Sequence, residues 1–308
     1  MSNTCPICES NDTKIQSTYR GTHATFVGLQ IAHCHACKMI FAAPKPSESD
    51  LHKYNASYFA TAHGGQPRGG VASAFFFAIA RLRRAHIDRY LAKHGAKVAS
   101  LLEVGPGTGF FARTWLEKHP STIYVAIETD TSCHALLGHL GVHLVDGDAA
   151  QNDGEPVDLV VMSHVLEHVS NPKQFLSNTT QNLRRGGALF IEVPCRDWEH
   201  KSMDEPHLLF FDKEPMKHLL GKIGFEDIEM SYHGQEIAKL RNPSKFNAKI
   251  IALRSRLIGL GVIAPFGRMR PGMEGLADPL ERAVVAPFLA HREAATPAWW
   301  LRALARKK

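Results

Sequence analysis

Residues 98–104, VASLLEV, form a mostly apolar run of strand length, and GPGTGF follows with no spacer before the helical pattern FARTWLEKH. A buried strand, a glycine turn and a helix in that order make the first half of a crossover unit, which commits the chain to a parallel sheet. Glycine tolerates a tight turn and lets the backbone approach a bound group with no Cβ in the way. The glycines stand at 105, 107 and 109, whereas a dinucleotide fingerprint wants its third glycine at 110, where Phe110 stands. The glycines alone are a weak signal, and their neighbours decide the reading.

Further strand patterns follow in series. TIYVAIETD (122–130) carries Glu128 near its end, 19 residues after Gly109, where a carboxylate can accept from two ribose hydroxyls. GVHLVDGDAA (141–150) ends in acidic residues, of which Asp148 is placed to accept from an adenine amino group. VDLVVMSHVLEHV (157–169) runs into a turn, and NLRRGGALFIEVP (182–194) reads as a helix end, a Gly-Gly turn and a fifth strand. DKEPMKHLLGKIGFEDIEMSYHG (212–234) reads as a helix capped by Asp212, a turn at Gly224 and a sixth strand. Strands alternating with helices predict an α/β fold with a mostly parallel sheet and its ligand at the strands' C-terminal edge.

EVGPGTG at 103–109, Glu128, DGDA at 146–149 and SHVLEHVSNP at 163–172 stand in an order that resembles class I S-adenosylmethionine-dependent methyltransferases. The likeness covers about residues 98–232. It implies a Rossmann-like, seven-stranded sheet with helices on both faces and S-adenosylmethionine over the C-terminal edge. By position it implies that Glu103, Gly105, Gly107, Thr108, Gly109 and Phe110 line the methionine side, Glu128 the ribose, and Asp148 and Ala149 the adenine. Ser163 and His164 would sit beside the methionine end.

Four of the six cysteines form two CxxC pairs, Cys5 with Cys8 and Cys34 with Cys37. Two such knuckles complete a tetrahedral thiolate site that suits structural Zn²⁺, and a closed site serves folding, not chemistry. A ribbon that has lost its metal and a redox thiol pair are the alternatives. With the connector KPSESDLHKYNASYF, this N-terminus resembles methyltransferases that tailor small molecules, sugar C-methyltransferases included. Methyl transfer from a sulfonium is an in-line displacement, so the protein must place the acceptor and, for a hydroxyl or carbon acid, take a proton. His207 matches the position of a base in the sugar-methylating relatives, with Glu205 two residues before it, and His164 is the third candidate. The plainer reading of His207 is a structural hydrogen bond in a loop, and of His164 a wall of the cofactor floor.

The net charge of +6 is unevenly placed: residues 239–308 hold 14 Lys and Arg against 4 Asp and Glu, so the remainder is acidic on balance. A basic nucleic-acid-binding body is therefore not expected, although RNA methylation guided by the ribbon is the alternative enzyme reading and a cofactor-binding scaffold the non-enzymatic one. The longest charge-free apolar runs, 69–80 and 257–267, fall short of the roughly 20 residues that cross a bilayer, and MSNTCPICES carries no secretory pattern. The expected home is the cytoplasm; a helix in 245–270 is expected to pack on the domain with its basic face solvated, and peripheral contact at the inner face of the membrane is the alternative. Trp299 and Trp300 beside basic residues suggest an interfacial anchor or a docking helix. The expected organisation is a zinc-ribbon-like module (1–43), a linker with N-terminal helices (44–95), a cofactor-binding domain (96–238) and a basic extension (239–308) that partly completes the fold. KIIALRS (249–255) is one candidate for its seventh strand, and a small-molecule acceptor is the expected partner.

Overall fold

The computed structural model describes residues 3–56, 70–145, 155–241 and 293–308, with a few positions between 249 and 260. Three strands open the chain: β1 (Thr13–Thr18), β2 (Gln30–Cys34) and β3 (Ile40–Ala43). They form an antiparallel sheet whose fourth member comes from far along the sequence. Next comes α1 (Glu48–Ala56), preceded by Ser47, whose hydroxyl accepts from the Asp50 N–H at 3.1 Å and donates to its carboxylate. Then comes the long α2 (Gly70–Lys93).

The body alternates as expected: β4 (Ser100–Val104), α3 (Phe110–Lys118), β5 (Ile123–Ile127), α4 (His134–His139), β6 (His143–Leu144), β7 (Val157–Ser163), α5 (Pro172–Thr179) and β8 (Leu183–Pro194). Pro172 opens α5 behind Asn171, whose side chain accepts from the Gln174 N–H. The Gly-Gly pair at 186–187 lies inside β8, where the pairing with β7 shifts register, so the strand starts earlier than the pattern suggested. After β9 (Leu209–Phe210) come α6 (Lys213–Lys222), capped by Asp212, then β10 (Phe225–Glu236), α7 (Ile237–Arg241), β11 (Glu293–Ala294) and β12 (Ala298–Lys307).

The large sheet has the order β11-β10-β12-β8-β7-β4-β5-β6. Strands β4 to β8 pair in parallel, and β12 enters antiparallel to both β8 and β10. This is the Rossmann-like α/β sheet that the sequence predicted, with eight strands among the described residues where the resemblance implied seven, the two-residue β11 being added at the edge. Apolar side chains pack on both of its faces. One core holds Ile87, Tyr90, Phe111, Trp115 and Leu137 from α2, α3 and α4. The other holds Leu176, Met216 and Leu219 from α5 and α6 and runs on into the small sheet through Phe210, Phe41 and Ile31.

Two expectations are corrected. The seventh strand is β12, not KIIALRS, most of which lies outside the described residues together with most of 245–270. Trp299 and Trp300 accordingly belong to a strand and not to a helix. Squeezed between two strands, β12 needs apolar side chains on both faces, and Leu301, Ala303, Leu304 and Ala305 supply them. No helix among the described residues is long and apolar enough to cross a membrane.

Candidate active site

The turn after β4 is the centre of the sheet's C-terminal edge. Gly105, Gly107 and Gly109 take φ of +68°, +54° and +77°, values that side-chain-bearing residues rarely adopt. A Cβ at Gly105 would stand 2.7 Å from Val165 Cγ2, and one at Gly109 would stand 2.8 Å from Leu140 Cδ1. At Gly107 a Cβ would meet open space, and the N–H there donates to Glu128 Oε2 at 2.8 Å. Glu128 Oε1 accepts from the Asp130 N–H at 2.9 Å, so the carboxylate clips the turn to the end of β5. Its partial burial raises its pKa from the ordinary value. Thr108 is partly exposed within the turn, and Phe110 packs its ring on Phe76 and Phe77 at centroid distances of 5.5 and 4.7 Å. The buried Ser163 hydroxyl has no hydrogen-bond partner among the described residues. An open cradle at Gly107, an acidic group at the end of β5 and an orphaned hydroxyl at the end of β7 fit a nucleoside–amino-acid cofactor. Asp148 and Ala149 lie outside the described residues.

Glu103 sits deeper than a lining residue. It is buried on the α2 face of β4, where the Tyr124 hydroxyl donates to it, and burial pushes its pKa up to about 7.

His164 follows β7 at φ +58°, a conformation uncommon for a residue with a side chain and often tied to function. Its N–H donates to the Glu192 carbonyl at 2.8 Å. Its ring lies between two carboxylates, with Nδ1 3.3 Å from Glu167 and Nε2 3.4 Å from Glu192, and the side chain keeps 36% exposure. Burial opposes the charged imidazole, but the two carboxylates outweigh it and raise the pKa. Glu192 is fully buried and faces α2; Arg83 donates to its Oε1 and Arg302 Nε to its Oε2 at 2.5 Å. Burial alone would raise this carboxyl, yet the two guanidinium groups hold it well below the usual range. Neither arginine was singled out by sequence reasoning, because nothing in the sequence tells which face of β8 carries Glu192.

The loop ahead of β9 gathers the other candidates. His207 is buried, and its Nδ1 lies 2.5 Å from Asp197 Oδ2, a partner that nothing local in the chain points to. Lys201 reaches the same oxygen at 2.9 Å. The Asp197 carboxyl is held well below its ordinary range: burial opposes this, and His207 and Lys201 override it. His168 stands edge-on to His207 at 4.9 Å, and burial pushes its imidazole down to about 4. Glu205 points away from these rings; its Oε2 accepts from the Thr22 and His23 N–H groups at 2.8 and 3.0 Å. The structure therefore brings His164 and the glycine turn to one edge. It places His207 in a buried pair and Glu205 at the joint with the N-terminal module.

At the other end of that module the two knuckles have matching geometry. The Glu9 N–H donates to the Cys5 carbonyl and the Lys38 N–H to the Cys34 carbonyl, each at 3.0 Å, and both residues take left-handed φ near +60°. The four sulfurs gather within 4.8 Å, with Cys5–Cys37 at 3.5 Å and Cys8–Cys34 at 3.4 Å. A tetrahedron of Zn–S bonds near 2.3 Å needs sulfurs about 3.8 Å apart, so this donor set fits the ion.

A family model described as a methyltransferase domain matches residues 77–230, half of the chain. A probable S-adenosylmethionine-dependent methyltransferase of Mycolicibacterium smegmatis is 28% identical over 155 residues, covering 48% of this chain and 60% of that protein. An uncharacterized protein of Methanocaldococcus jannaschii is 24% identical over 139 residues (42% and 65%). The ubiquinone biosynthesis O-methyltransferase of Bartonella tribocorum is 25% identical over 105 residues (32% and 42%). The chain thus spans less than two thirds of the length of each of these relatives. Among solved structures, a SAM-dependent methyltransferase from Thermotoga maritima, described as a possible histamine N-methyltransferase, aligns at a TM-score of 0.48 and 15% identity. That alignment covers 85% of this chain and 100% of the other.

Proposed function

This chain belongs to the methyltransferase-domain family, and from that premise we propose that it moves the methyl group of S-adenosylmethionine to a small-molecule acceptor. The acceptor class we assign is a sugar, a polysaccharide or lipid intermediate, or a secondary metabolite. The cofactor, when bound, supplies a methyl group already activated on a sulfonium. The protein's share is then alignment and proton handling. Glu128 exchanges its bonds to the Gly107 and Asp130 N–H groups for ribose hydroxyls, and Ser163 offers its hydroxyl, unpaired among the described residues, to the amino-acid end. Neutral His164 turns one ring nitrogen from its carboxylate towards the acceptor and takes the acceptor's proton there. The observation that carries this reading is the placement of His164, which is partly exposed beside the glycine turn and held from two sides by Glu167 and Glu192. The four-thiolate site we assign to structural zinc, because its sulfurs close on one another and leave no open position.

The test supplies methyl-labelled S-adenosylmethionine with three separate acceptor pools: metabolites with sugar nucleotides, total RNA, and membrane lipid with polysaccharide. Label in the first or third pool, lost in Glu128→Ala, supports the reading. His164→Gln is expected to keep cofactor binding and lose about 10²- to 10⁴-fold in turnover. Label confined to RNA would replace the acceptor class, and cofactor binding with no label in any pool would favour a scaffold.

A further inference from the structure

One buried group is only partly used by that reading, in its contact with His164. Glu167 is fully buried, and neither of its carboxylate oxygens has a hydrogen-bond partner among the described residues. Its near neighbours are imidazoles: His164 at 3.3 Å and His168 at 3.7 Å, both at Oε1. A buried carboxylate with no donor is costly unless a cation answers it.

Two imidazoles stand where such a cation would need them. Glu167, His168 and His207 each offer a ligand atom, and the three atoms lie within 4.8 Å of one another. The Asp197 carboxylate fixes Nδ1 of His207, which leaves Nε2 as that ring's free lone pair. A carboxylate behind a ligating histidine is the usual outer support of a metal site. The backbone is braced as well: the Leu208 N–H donates to the Glu167 carbonyl at 2.7 Å, and the Tyr19 hydroxyl donates to the His207 carbonyl at 3.0 Å. We propose that Glu167, His168 and His207 form a second metal site, for a divalent first-row transition ion, separate from the four-cysteine cage.

The donor set supports the distinction between the two sites. Two imidazoles and one carboxylate suit zinc, iron(II) or manganese(II) and leave coordination positions open, whereas four thiolates close a site. Glu167 also touches His164, so an ion here would lie one residue behind the proposed proton acceptor. The metal assignment itself does not depend on the methyl-transfer reading, and its test needs cofactor binding only as a check on folding.

The test is a cobalt(II) titration of the full chain after metal removal under reducing conditions, read by absorption and by stoichiometry. The expected result is two equivalents per chain, one with strong thiolate-to-cobalt bands and one with only weak bands. Cys34→Ser should abolish the thiolate bands and keep the weak equivalent. Glu167→Gln and His168→Gln should keep the thiolate bands and lose the weak equivalent. Asp197→Asn should weaken the second equivalent by about 10- to 100-fold. Retained S-adenosylmethionine binding by each variant serves as the folding control. A single equivalent in the unaltered chain, lost with Cys34→Ser, overturns the proposal. So does a second equivalent that Glu167→Gln and His168→Gln leave unchanged.

Discussion

At the scale of single residues, the sheet buries two carboxylates in opposite electrostatic settings. Glu103 has a tyrosine hydroxyl as its donor and a pKa near 7. Because that value lies above the unfolded one of 4.5, the folded chain binds the extra proton between the two, and stability falls as pH rises through this window. Glu103→Gln should therefore match the parent near pH 4.5 and exceed it by about 2–3 kcal/mol at pH 8, as read by urea unfolding at both pH values. Glu192 is the reverse case, a carboxylate held charged by Arg83 and Arg302. Arg302→Met leaves half of that compensation and should cost about 3–5 kcal/mol in the same assay at neutral pH. The glycine turn and Glu128 were legible in the sequence because a turn at a strand end depends on local order. The partners of Glu192 were not, because they come from a helix and a strand about 110 residues away on either side.

Among the elements, β12 was the least legible. Its ten residues carry two tryptophans and three basic side chains, a composition that also describes a surface helix. What makes it a strand is the slot that receives it. Arg302 pairs opposite Glu192 across the β8–β12 register, which neutralises the one charge that would otherwise bar the segment from the sheet's interior. Strands β4, β5 and β7 lacked this ambiguity, because their apolar runs are bounded by turns on the spot. Removing residues 298–308 should leave β8 and β10 with open edges and strip cover from both cores. The truncated chain is expected to show no cooperative urea transition and no near-ultraviolet dichroism. A sharp transition with cofactor binding intact would show that β8 and β10 can pair without it.

At the scale of the whole molecule, the N-terminal module grips the loop that carries His207. β9 pairs with β3 as the fourth strand of the small sheet, Ile40 against Phe210 and Phe41 against Leu209. Arg20 forks onto the buried Asp204, donating from Nε at 3.0 Å and from its terminal nitrogen, while the Arg20 N–H meets the same carboxylate at 2.8 Å. Glu205 caps the Thr22 and His23 N–H groups, and Tyr19 holds the His207 carbonyl. The CxxC spacing made a compact four-cysteine module legible, but nothing local could show that residues 204–210 would complete its sheet. The glycine turn and Glu128 lie on the far side of β7 from this joint and share none of its hydrogen bonds. Cys34→Ser should therefore loosen residues 204–210 and leave the cofactor edge in place. The expected result is faster amide exchange across 204–210 and a fall in turnover of order 10- to 100-fold, as Glu167, braced by the Leu208 N–H, lets His164 shift, with S-adenosylmethionine affinity within about threefold. Arg20→Ala, which cuts one tie and keeps the thiolates, should lie between the variant and the parent. Equal losses of cofactor affinity and turnover in Cys34→Ser would instead mean that the module supports the entire fold and not this loop.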